Sequence, residues 1–300
     1  MPIGKSIRVF LADSNVMGIR YAELVNWTGQ ALACPRSRLS ELKKWPEIQK
    51  PGVYFLFERR YGDVKPAAYI GESENVMQRL TDHDRKKDFW NEVVMFTSKD
   101  ENLTKAHVKY LESTLVGIAK AADRYDLQNG NTPTESGLPR ADRAAMTEYI
   151  ENLRMVLGTL GYSILEPILK PDTQSELELS LEPAEGDHLN HLQFEINNCT
   201  AKGAVTDEGF VLKKGSQISI EHSQSMPKKV GIIKEQLLKD NILTQEADYL
   251  VAAEDILFSS SSYAAAIVAG TSRSGPQSWK TLSGKTLKSI EDEHLRETIE

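Results

Sequence analysis

Short apolar runs of strand length alternate along the chain with stretches whose apolar residues recur every three or four positions. "SIRVFL" (6–11) is rich in β-branched residues and predicts a strand. "CPRSRLSELKKW" (34–45) predicts a short helix, opened by Pro35 and with Leu39 and Leu42 on one face. "GVYFLFE" (52–58) and "KPAAYIG" (65–71) are strand candidates separated by Gly62-Asp63, so they are expected to pair as a hairpin. "ENVMQRLTDHD" (74–84) is an amphipathic helix with Val76 and Leu80 inward, and "WNEVVMFTS" (90–98) is a third strand. The strongest helical period lies in "NLTKAHVKYLESTLVGIAKAADR" (102–124), with Thr104 as N-cap and a stripe of Ala106, Leu111, Leu115 and Ile118. A further helix, "ADRAAMTEYIENLRMVLGTLG" (141–161), ends at Gly161.

The later pattern differs. Residues 194–221 read as short strands broken by glycines, 227–243 as a helix, and 253–270 as a segment holding a small-residue helix. "WKTLSGKTL" (279–287) predicts a terminal hairpin around Ser283-Gly284. Between the two patterns, residues 171–192 hold six acids, no Lys or Arg and no aromatic, which predicts a linker. The expected organisation is therefore one domain over 1–170, an acidic linker over 171–192 and a second domain over 193–300. The fold class is α+β: a small antiparallel sheet flanked by helices, then a second small α+β domain.

The net charge of −7 argues against nucleic acid only until its distribution is considered. Residues 1–170 carry 24 Lys+Arg against 22 Asp+Glu, so the acidity sits mostly in the linker. The first domain also holds local basic clusters such as "HDRKKD" (83–88). The two cysteines, Cys34 and Cys199, form no C-x-x-C pair, which fits a reducing cytoplasm. No apolar run is long enough for a membrane span or a secretory signal.

The polar residues of the first domain form an ordered series. Tyr54 and Tyr69 lie on the two hairpin strands, Arg79 and His83 four apart on the next helix, and Glu112 on the long helix. Asn129 and Asn131 follow in the loop "LQNGNTP". Each alone reads as an ordinary strand aromatic, solvated helix face or turn residue. Together they resemble the GIY-YIG nuclease superfamily. The resemblance is carried by "GVY" (52–54) in place of Gly-Ile-Tyr, an intact "YIG" (69–71), Arg79 ten residues after Tyr69, His83, Glu112 and an asparagine beyond that helix, and it covers residues 50–132.

The resemblance implies a metal-dependent endonuclease acting on DNA. Its implied catalytic residues are Tyr54, Tyr69, Arg79, His83, Glu112 and Asn129, with Asn131, Lys86 and Lys87 as weaker substrate contacts. Glu112 would hold one Mg²⁺ or Mn²⁺ that stabilises the leaving group, and Tyr54, helped by His83 or Tyr69, would position or deprotonate the attacking water. These residue types suit the chemistry: a guanidinium forks onto phosphate oxygens and a carboxylate is a hard ligand for magnesium. The second domain, through "GFVLKKGS" (209–216), residues 256–270 and residues 279–287, resembles an uncharacterised module found behind GIY-YIG domains and in restriction-system proteins. It implies no activity; the module is a candidate for recruiting nucleic acid or a protein partner. Two rival readings keep the fold: a nucleic-acid-binding protein without cleavage, and an interaction protein acting through residues 193–300. His107, His188 and His191 lack the spacing of a metal site, "GTSRSG" (270–275) lacks a P-loop lysine, and Ser259 to Ser262 lack a nucleophile elbow.

Overall fold

The computed structural model describes residues 4–59, 65–130, 137–169, 189–223 and 225–297. The chain divides into two compact units, Met1–Pro167 and Ile168–Glu300. Both are α+β. The hairpin turn residues Gly62 and Asp63, the loop residue Asn131, His188 and most of the 171–192 segment lie outside the described residues.

The first unit is built on one sheet. Its strands are β1 (Ile7–Leu11), β2 (Arg20–Leu24), β3 (Gly29–Pro35), β4 (Gly52–Phe57), β5 (Ala67–Ser73), β6 (Glu92–Ser98) and β7 (Asp126–Leu127). The order is β1-β2-β3-β6-β4-β5-β7. The expected small antiparallel sheet is thus corrected: there are seven strands, and β5–β7 is a parallel pair. β2 and β3, with no clear alternation in sequence, extend it. β3 is buried along almost its whole length because Ala31 and Ala33 pack into the core on one face of the sheet and Leu32 and Cys34 into the core on the other. The predicted helix at 34–45 is a 3₁₀ helix, Arg36–Lys44, because Pro35 still belongs to β3.

Alternation along β4 sends its side chains to two cores. Val53, Phe55 and Phe57 pack with Ile70 and with α2 (Lys105–Ala122) and α3 (Arg140–Thr159). Tyr54 and Leu56 pack on the other face with Leu42, Trp90 and α1 (Val76–Lys86). α1 starts at Asn75, whose side chain accepts from the Gln78 backbone N–H at 3.0 Å. Its inward stripe is Val76, Leu80 and His83, so a histidine occupies the third apolar position of the helix. α2 starts at Thr104, and His107 reaches back to the Thr104 N–H to complete a capping box. Its buried stripe is Val108, Leu111, Leu115 and Ala119, with Glu112 at its edge.

The second unit has two antiparallel sheets. One runs β14 (Ile256–Phe258), β10 (Gly209–Leu212), β9 (Cys199–Thr206), β8 (Leu192–Ile196). The other runs β11 (Gln217–Ser219), β13 (Tyr249–Ala252), β12 (Leu243–Gln245). Helices α4 (Lys228–Lys239), α5 (Ser261–Ala269), α6 (Gly275–Ser278) and α7 (Leu287–Glu297) complete it. α5 is buried from Ala264 to Ala269, and Trp279 fills the core beside Phe210 while its indole N–H donates to the Ser261 carbonyl at 3.0 Å. The hairpin expected at 279–287 is present in a short form: Lys280 bridges Thr286 in antiparallel sense, the Thr281 N–H donates to the Lys285 carbonyl at 2.8 Å and the Leu287 N–H to the Trp279 carbonyl at 2.9 Å, while Lys280 also bridges Gln193.

Candidate functional site

The register of the β4–β5 hairpin decides where the two tyrosines meet. Tyr54 pairs with Gly71 and Leu56 with Tyr69, so the phenols lie diagonally on one face, with ring centroids 6.3 Å apart. The two glycines of the motif have steric roles. A Cβ at Gly71 would overlap the Tyr54 hydroxyl and lie 2.5 Å from its Cζ and 2.9 Å from Tyr69 Cε1. One at Gly52 would overlap the Phe96 carbonyl oxygen and lie 2.8 Å from Thr97 Cγ2. Gly71 therefore lets the Tyr54 ring lie flat across β5, and Gly52 lets β4 approach β6.

α1 places its cationic face over these rings. His83 Nε2 is 2.7 Å from the Tyr54 hydroxyl, and its ring sits 5.6 Å from Tyr54 and 5.2 Å from Tyr69. Burial foremost, then the charges of Arg79 and Lys87, lowers the His83 pKa to about 4, so the imidazole is neutral at pH 7. Arg79, a group that can only donate, acts on both phenols and foremost on Tyr54. Arg79 thus sets a positive charge beside the Tyr54 hydroxyl, whose hydrogen-bond partner is His83 Nε2, with the direction of that bond set by the imidazole tautomer. Burial raises the pKa of both tyrosines, and Arg79 opposes the rise. Lys87 stands over the Tyr69 ring with Nζ 4.2 Å from the centroid, and burial and Arg79 lower its pKa. Lys86 is exposed, one turn beyond the rings.

Glu112 reaches the group from α2. Burial, then the Glu72 charge, pushes its carboxyl up to about 7, against Arg79 and Lys105. Glu72 itself pairs with Lys105 at 3.0 Å. Sequence reasoning missed both residues; Glu72, directly after "YIG", was the available signal. Asn129 has a different place from the one expected. Its amide accepts from the Ile70 N–H at 3.1 Å and donates to the Ile70 carbonyl at 2.7 Å. It continues the β5 ladder past the two residues that β7 pairs, so it holds the edge strand and not an open ligand position. Asn131 lies outside the described residues. The structure thus brings Tyr54, Tyr69, Arg79, His83, Lys87 and Glu112 together, with Asn129 behind them.

Among the described residues, no group of three or more His, Cys, Asp and Glu side chains gathers at a possible metal position. Glu112, with Glu72 near it, could hold a Mg²⁺ or Mn²⁺, which takes one or two protein carboxylates and keeps its remaining waters. Such an ion would favour the ionised form of Glu112 over the protonated form that burial favours. Among the described residues no helix is long and apolar enough to cross a membrane.

The family described as a domain of unknown function (DUF4357) matches residues 192–291, within the second unit. No curated protein and no solved structure matches the chain.

Proposed function

We propose that the first unit is a metal-dependent endonuclease of the GIY-YIG type that hydrolyses DNA phosphodiester bonds. The observation that carries the reading is the Tyr54–His83 contact of 2.7 Å under Arg79, with the half-buried Glu112 carboxyl turned to the same group. Structural ion pairs seldom spend one buried and one part-exposed phenol, a neutral imidazole, a guanidinium and a carboxyl of perturbed pKa in one place.

Each residue has a task in the reaction. Arg79 is exposed enough to meet a phosphate and binds its non-bridging oxygens, where charge grows in the transition state. Tyr54 is fully buried while Tyr69 is part-exposed, so the attacking water meets Tyr69 first. As the water gives its proton to Tyr69, the Tyr69 proton passes to Tyr54 and the Tyr54 proton to His83 Nε2. The hydroxide attacks phosphorus, the P–O3′ bond breaks, and the 3′-oxygen takes a proton from solvent. A bound phosphate offsets the pull of Arg79 and Lys87 on His83 and makes it a better base than in the free protein. Glu112, with Glu72 near it, would hold Mg²⁺ or Mn²⁺, which supplies Lewis-acid charge at the leaving oxygen when bound. Nicking of supercoiled plasmid tests the reading. Mg²⁺-dependent nicking that EDTA stops and Arg79→Ala loses is the expected result; equal nicking by Arg79→Ala refutes it.

A further inference from the structure

A second concavity opens on the α2/α3 side of the sheet, opposite the Tyr54 cluster. It has a volume of about 490 Å³, in the range of small-molecule sites. Its wall is aromatic. The Trp27 ring lies across Gly29, where any Cβ would overlap it, and its centroid is 4.9 Å from that of Tyr149. The Tyr149 hydroxyl is fixed on the Thr97 carbonyl at 3.0 Å, so the wall is held from behind.

Two further features indicate what the wall is for. Asn152 lines the cleft and is only 6% exposed, yet among the described residues its amide has no hydrogen-bond partner. Its amide opens to the cleft, where a ligand's donor or acceptor can bond to it. The rim is acidic: Asp100, Asp142 and Glu148 line the cleft, and no lysine or arginine does. Asp100 is held ionised, chiefly by the Ser98 hydroxyl at 2.6 Å. Asp142 faces His107 Nε2 at 3.7 Å, and Glu148 is exposed. A phosphate would be repelled here. A flat aromatic wall, an amide open to the cleft and a rim of three carboxylates suit a planar cation that stacks and donates in its own plane.

We propose that this cleft binds a guanidinium group, stacked on Trp27 and donating to the Asn152 amide oxygen and the acidic rim. The group comes either from an arginine side chain of a peptide or from a free small guanidine compound. Its binding is independent of phosphodiester cleavage.

Isothermal titration of the full chain tests the assignment, with agmatine, N-acetylarginine methylamide, N-acetyllysine methylamide and dAMP as probes. Both guanidinium compounds are expected to bind saturably and about tenfold tighter than the lysine compound, while dAMP does not bind. Tighter binding of the arginine amide than of agmatine assigns a peptide source; the reverse order assigns a free compound. Glu148→Lys, an exposed change that spares the fold, should weaken both by about tenfold, and Trp27→Ala should weaken them at least as much, with circular dichroism confirming a folded chain. No saturable heat up to about 10 mM, equal binding of the lysine compound, tighter binding of dAMP, or a Glu148→Lys variant that binds like the wild type overturns the proposal.

Discussion

Replacing Gly71 by alanine tests how the hairpin builds the candidate site. The added methyl would lie 2.5 Å from Tyr54 Cζ, where ordinary contacts begin near 3.4 Å, so the ring must retreat by about 1 Å. Tyr54 is fully buried in the core that holds Leu42, Leu56, Leu80 and Trp90. Overpacking of this kind costs about 1–3 kcal/mol. The retreat also breaks the 2.7 Å contact to His83, worth about 1 kcal/mol more. A loss of about 2–4 kcal/mol in a unit of this size lowers Tm by about 4–16 °C. Gly117, on α2 with nothing within 4 Å of its would-be Cβ, is the internal control. Gly117→Ala should stabilise by about 0.5–1 kcal/mol through helix propensity alone. Thermal unfolding of both variants beside the wild type decides the matter. A Gly71→Ala chain that melts at the wild-type temperature refutes the register-based reasoning, because the ring could then not lie where the hairpin puts it.

Arg79→Lys keeps the charge and loses the planar fork, so the single-turnover cleavage rate should fall about 10²-fold, a transition-state loss of about 3 kcal/mol, with a much smaller change in DNA affinity; loss of affinity alone would make Arg79 an ordinary backbone contact. Burial raises the Glu112 pKa from 4.5 to about 7, so its ionisation opposes folding: the cost is absent below pH 4.5, grows as pH rises to 7 and is complete above it. In EDTA, Glu112→Gln should therefore be more stable than the wild type by about 1–2 kcal/mol at pH 8, after allowance for partial exposure, and equal to it at pH 4; denaturant titrations at both pH values check this, and an equal or less stable variant at pH 8 contradicts it. Asn129→Leu should cost about 1–3 kcal/mol and speed hydrogen exchange at the Ile70 amide, because both outward backbone groups of Ile70 lose their partner; unchanged exchange would count against the bridge.

The local elements were legible because their side-chain periods are strong. β4, β5, α1 and α2 follow from apolar runs, apolar spacing and the Thr104 cap. β2 and β3 were not: "RYAEL" and "GQALACP" are short, and an alanine-rich central strand buried between neighbours has neither alternation nor β-branched content. The order β3-β6-β4 was also hidden, because it pairs strands far apart in the chain and no local pattern encodes that choice. The site shows the same division. The residue series named the side chains, but the purposes of Gly52 and Gly71 appear only once the register places Tyr54 opposite Gly71. Asn129 read as an open amide because a loop asparagine gives no sign in sequence that it will bridge a strand edge. Glu72 and Lys105 are a pair brought together by packing of α2 on β5.

The most direct measurement for the proposed cleavage chemistry is a single-turnover assay on labelled duplex, nicked, branched and single-stranded DNA with Mg²⁺ or Mn²⁺, run with the wild type and with Glu112→Ala. The account predicts that the wild type cuts at least one of these DNAs to products with 5′-phosphate and 3′-hydroxyl ends, and that Glu112→Ala, still folded, cuts none. Cleavage by Glu112→Ala at the wild-type rate, or no cleavage of any of the four by the wild type with either metal, would contradict it.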